Sequence, residues 1–132
     1  MSPLHIVVLD RDTLVNRPFD FDFPHTLSSY GTTEAHETLE RIRGADIVIT
    51  NKVVISAQAF AENPQLKLVA VTATGVNNVD VEAAKQNGTV VCNIRAYGNQ
   101  SVAEHAFMMM LTLMRNLPAY QSDVAAGLWE NT

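Results

Sequence analysis

Four short apolar runs, each ending in polar residues, restrict what this chain can fold into. Leu4, Ile6, Val7, Val8 and Leu9 form the first, and Asp10, Arg11 and Asp12 follow it. Ile47, Val48 and Ile49 centre the second, at 45–50, and Leu66, Leu68, Val69 and Val71 the third. Val90, Val91 and Cys92 centre the fourth, at 89–93. The runs are nearly continuous rather than alternating, which predicts strands buried on both faces. Helix signals lie between them. Thr33, with Glu34 after it, predicts an N-cap for a helix ended by Gly44. Ser56 predicts a cap for a short helix closed by Asn63 and Pro64, and Asp80 one for 81–86, stopped by Asn87 and Gly88. Pro18 and Pro24 mark 16–25 as loop, before a short strand near 26–30. Such alternation predicts an α/β fold, a parallel sheet with helices on both faces.

Composition narrows the function classes. A length of 132 residues suits one ordinary core, with 47% hydrophobic and 17% charged residues. The net charge of −5 and scattered Lys and Arg argue against a nucleic-acid partner. A lone cysteine allows no internal disulfide and no thiolate metal cluster. The start of the chain lacks a signal-peptide pattern and no stretch is long enough to span a bilayer. A cytoplasmic setting without membrane attachment is expected.

Residues 71–80 carry the main chemical signal. They read as a strand end, a small-residue loop with Gly75, and a helix capped by Asp80. Loops beyond the carboxyl ends of parallel strands bind small ligands, and N–H groups beside a helix start favour an anion. Gly75 permits close backbone approach. A carboxylate or phosphate site follows from these features. Asn51 and Lys52 end the strand at 45–50 and are expected at the same crevice, Lys52 as an attractant for an anion or as an ordinary surface lysine.

The stretch 101–116 differs in character. Ser101 and Glu104 have capping-box spacing, predicting a helix start, and the body through Met114 is apolar on nearly every face. A helix of this kind needs cover that one small sheet cannot supply, so a further domain or a second copy is expected against it.

Other constellations have simpler readings. Asp10 and Asp12 resemble a magnesium phosphatase pair, but the glycine normally after the second aspartate is absent, and a polar strand end explains them. His5, His25, His36 and His105 share no metal-ligand spacing, so no metal is expected. Cys92 reads as a small buried hydrophobe and the methionines 108–110 as packing. The 132 residues contain no GxGxxG, Walker motif or catalytic triad.

Several stretches together resemble the N-terminal part of the NAD(P)-dependent D-isomer-specific 2-hydroxyacid dehydrogenases, in the glycerate dehydrogenase (hydroxypyruvate reductase) branch. They are 8–14 (Val8, Leu9, Asp10, Arg11, Asp12, Thr13, Leu14), 45–54, 66–68, 73–80, 91–93 and 101–105. Order and spacing agree over most of 4–129. Arg95 departs from the pattern, standing where many relatives have proline.

The resemblance implies a flavodoxin-like doubly wound substrate domain over 1–98. Over 99–132 it implies a long apolar linker helix that serves dimerisation and leads into a nucleotide-binding domain absent from these residues. It implies that backbone amides around Ala73, Thr74, Gly75 and Val76 hold the substrate carboxylate, and that Val102 lies near the nicotinamide. NAD or NADP serves the parent enzyme, with none expected on this piece. The expected parent reaction is reduction of a 2-oxo acid such as hydroxypyruvate to a D-2-hydroxy acid such as glycerate. No residue here matches the family's catalytic arginine, glutamate or histidine, so the piece alone is expected to be inactive. A homodimer or larger assembly through 101–116 is expected. The alternative is a stand-alone flavodoxin-like module that binds small carboxylates or self-associates.

Overall fold

A computed structural model describes residues 2–14 and 18–128. Positions 16 and 17 of the expected loop, and 129–132 of the expected second region, lie outside the described residues. The chain divides into two compact units, Met1–Arg95 and Ala96–Thr132.

The first unit is built on a five-stranded parallel sheet: β1 Leu4–Val8, β2 His25–Ser29, β3 Ile47–Thr50, β4 Leu68–Val71 and β5 Val90–Asn93. The strand order is β2-β1-β3-β4-β5, the order of flavodoxin-like sheets. Val7 pairs in register with Val48, Val48 with Val69, and Val69 with Val91, which sets one face. Helices α1 Thr38–Arg41, α2 Ala57–Ala61 and α3 Val81–Asn87 alternate with β3, β4 and β5. Ile42, just past α1, joins Ala59, Phe60 and Ala84 against Val7, Val48 and Val69 in the main core.

The expectation of helices on both faces is corrected within this unit. Every helical crossover advances from β2 towards β5, and right-handed crossovers advancing one way place their helices on one side. Only the β1–β2 connection runs the other way. Its prolines oppose a helix, and among its described residues Phe19, Phe21 and Phe23 instead pack over Ile6, Val8 and Ile49. The Phe19 and Phe21 rings stack with centroids 5.8 Å apart, and Phe23 follows at 5.6 Å from Phe21.

That aromatic cover explains a second correction. Cys92 is exposed rather than buried. It pairs in register with Ala70, and Val90 with Leu68, on the face that carries Ile49. β5 is an edge strand, and Val90 is 57% exposed.

Two helix starts follow local chemistry. Ser56 Oγ accepts the Ala59 N–H at 3.4 Å and Asp80 Oδ1 the Ala83 N–H at 2.9 Å. α3 ends at Gly88, whose φ of 77° suits glycine. Thr33 caps nothing. Its hydroxyl donates to the Leu9 carbonyl and accepts from Arg41 Nη1, so the helix there shrinks to α1. No side chain caps α1 at Glu37; the Glu37 carboxylate instead accepts the Glu34 N–H at 2.8 Å, in the turn before the helix.

The second unit contains α4 Asn99–Met114 and α5 Leu117–Ala125, separated by Asn116 with φ 51°. The Ser101–Glu104 capping box is absent. The Gly98 carbonyl already accepts the Val102 N–H at 2.9 Å, so Ser101 lies inside the first turn. Glu104 accepts from Gln100 Nε2 instead. Phe107, Leu111, Leu113 and Met114 are exposed. Among the described residues, no helix is long and apolar enough to cross a membrane.

Candidate active-site cleft

The carboxyl ends of β3 and β4 open into a cleft of about 290 Å³ lined by Asn51, Lys52, Ala73, Gly75, Asn77 and Asn78. Four of the residues singled out from the sequence therefore share one hollow. Thr74 and Val76 lie in the same loop but do not line it. The Thr74 carbonyl accepts from Asn93 Nδ2 at 2.6 Å, and Val76 packs on the main core. Val102 sits on α4 with its side chain exposed.

Backbone donors distinguish the cleft. Thr72 N–H is the last of β4's run to pair, with the Thr50 carbonyl at 2.9 Å. From residue 73 to 78 no backbone N–H has a protein acceptor among the described residues, and pairing resumes where Val79 N–H meets the Val76 carbonyl. A hydrogen bond from Asn78 Nδ2 to the Val53 carbonyl ties the end of this loop to the β3 side. The Lys52 ammonium has no carboxylate partner among the described ion pairs. Fixed N–H dipoles beside a cation favour an anion.

Sequence reasoning weighed Asp10 as a phosphatase aspartate or a polar strand end and missed its part beside the cleft. It is 3% exposed at the end of β1, and its carboxylate accepts the Asn51 N–H at 2.9 and 3.0 Å and the Lys52 N–H at 2.6 Å. Asn51 Nδ2 donates to Thr13 Oγ1, which donates to the Asp10 carbonyl. Strand order reverses between β1 and β3, the usual place for a ligand in such sheets. Here the protein's own carboxylate fills it, and the open amides lie one strand further along. This occupancy removes the basis for a phosphatase nucleophile at Asp10. No group of metal-capable side chains exists among the described residues. Sequence reasoning also passed over Asn77 and Asn78, whose only signal was their place in the loop after Gly75.

Asp46 lies at the opposite end of β3. Its carboxyl is held below the usual range by the Lys67 ammonium at 2.7 Å and by the His5 backbone N–H at 2.9 Å.

Residues 10–126 match the sequence profile of the D-isomer specific 2-hydroxyacid dehydrogenases, catalytic domain. The chain belongs to this family. It is 40% identical to a glycerate dehydrogenase of Methylorubrum extorquens over 128 residues, covering 96% of this chain and 41% of that protein. It is 38% identical to a hydroxypyruvate reductase of Blautia hydrogenotrophica over 99 residues, 75% of this chain and 31% of that protein. The chain thus spans well under half the length of these family relatives. Among solved structures, a 2-hydroxyacid dehydrogenase from Ketogulonicigenium vulgare matches all of the chain and 42% of its own, with TM-score 0.71 and 20% identity, a likeness of fold. The Escherichia coli D-lactate dehydrogenase matches 89% of the chain and 40% of its own, with TM-score 0.59 and 26% identity.

The cleft thus combines backbone N–H donors with one ammonium. Among the described residues its lining contains no histidine and no carboxylate, so it supplies no side chain of the usual proton-transfer kind apart from Lys52.

Proposed function

We propose that this chain forms the carboxylate-holding part of an NAD(P)-dependent dehydrogenase. The whole enzyme would reduce a small 2-oxo acid of the hydroxypyruvate type to the D-2-hydroxy acid. The observation that carries this reading is the run of acceptor-free N–H groups at 73–78 beside Lys52. The names of the Methylorubrum and Blautia relatives support the choice of substrate. Ala73 and Gly75, which line the cleft, hold the carboxylate through backbone N–H groups, with the N–H groups of their loop neighbours Thr74 and Val76 turning to it when the acid binds, while Asn51 and Lys52 form the facing wall. Residues 1–98 serve as the substrate domain.

The residues present do not fit a nicotinamide dinucleotide by themselves: they contain no glycine-rich dinucleotide loop. Among solved relatives of the fold, one is an NAD+-bound 3-phosphoglycerate dehydrogenase of Entamoeba histolytica, and another an imino acid reductase with NADPH. In the whole enzyme such a cofactor, held by other residues, would supply the hydride; Val102 would lie towards it, and α4 would link the substrate and nucleotide domains. The exposed apolar side chains of α4 then serve a homodimer or larger assembly.

Mixing the purified chain with NADH and hydroxypyruvate is expected to leave the nicotinamide absorbance unchanged, while D-glycerate shifts the 73–78 amide resonances. Turnover by the chain alone would refute its role as a holding part. Unmoved resonances would refute the carboxylate site. Light scattering tests the assembly: a monodisperse monomer contradicts it.

A further inference from the structure

Resting on the carboxylate-holding reading, we propose that Asn77 selects among acids by hydrogen-bonding a polar substituent on the third carbon. A carboxylate is an acceptor only, and backbone N–H groups with a lysine satisfy it completely. The cleft holds more than that. Asn51, Asn77 and Asn78 also line it, and two of them are engaged within the protein: Asn51 Nδ2 donates to Thr13 and Asn78 Nδ2 to the Val53 carbonyl.

The Asn77 side chain makes no hydrogen bond among the described residues. Its Oδ1 lies 2.9 Å from where a Cβ on Gly75 would stand, so the side-chain amide lies over Gly75 itself. An acid held by the loop N–H groups around Gly75 is consequently within reach of this amide. Whichever way the amide turns, it offers one acceptor and donors together. A hydroxyl, which both donates and accepts, suits that pairing, and a methyl group leaves it unmatched. Discrimination by such a group comes from leaving a polar atom unpaired against the wrong ligand.

The test uses the full 132-residue chain, labelled with ¹⁵N and titrated with D-glycerate and with D-lactate, which lacks the third-carbon hydroxyl. Both acids are expected to move the 73–78 resonances, glycerate with about five-fold higher affinity, the size of one neutral hydrogen bond. Asn77→Ala is expected to abolish that preference by weakening glycerate alone. A preference that survives Asn77→Ala, or a variant that weakens both acids equally, overturns the proposal. Equal affinities in the unaltered chain overturn selectivity and leave the carboxylate site standing. Failure of both acids to move the resonances overturns both.

Discussion

The Asp10 carboxylate and the Lys52 backbone N–H meet at 2.6 Å across 42 positions of sequence. With the Asn51 N–H also bound, the turn after β3 is fastened to the end of β1. Asp10→Ala leaves both donors without their acceptor, a cost of about 1–3 kcal/mol. Urea unfolding should show that loss. Asp10→Asn, which keeps one acceptor oxygen, should lose less. Equal stability of the alanine variant would show that the contact does not hold the turn.

Asp46 predicts an acid-side dependence of stability. Its folded-state carboxyl lies below the ordinary value of 3.8 because Lys67 and the His5 N–H favour its charged form. A lowered folded value contributes stability that is present above the unfolded value and is lost as pH falls through the folded one. Urea midpoints should therefore fall on acidification below about pH 4. Asp46→Asn should remove part of that fall while changing little at neutral pH beyond the lost contacts.

Gly75→Ala separates site from scaffold. The added Cβ meets Asn77 Oδ1 at 2.9 Å, the end of a movable side chain, and no backbone atom. The melting temperature should change by no more than a couple of degrees, the response expected for a shift within about 0.5 kcal/mol. Glycerate-induced shifts at 73–78 should weaken markedly, since Asn77 and the approach to the amides are both disturbed.

Gly88→Ala tests backbone conformation alone. No atom lies within 4 Å of the new Cβ, yet φ is +77°. The variant should lose about 1 kcal/mol in urea unfolding, with no change at the cleft. By contrast Phe60→Ala, at a residue only 1% exposed in the main core, should lose about 3–5 kcal/mol.

The sequence made the parallel strands and the caps at Ser56 and Asp80 legible because their causes lie within a few neighbouring residues. Asn51, Lys52 and Gly75 were legible as crevice residues because ligand loops follow strand ends in such sheets. Thr33 and Ser101 misled for the opposite reason. Thr33's hydroxyl is taken by Leu9, 24 positions away, and Ser101 is overtaken by a helix that begins at Asn99. Asp10 has no local signature, since its donors arrive 41 and 42 positions later. The exposure of Cys92 depends on strand order, which places β5 at an edge. Its local apolar neighbours gave no hint of that.

The same edge position gives the chain a built-in chemical handle. Cys92 is the sole thiol among 132 residues, and it is exposed on the sheet face opposite α1, α2 and α3. A maleimide fluorophore would attach there stoichiometrically, with no engineered cysteine and no competing label. Its emission would report the polarity at that surface in any longer polypeptide that contains these residues.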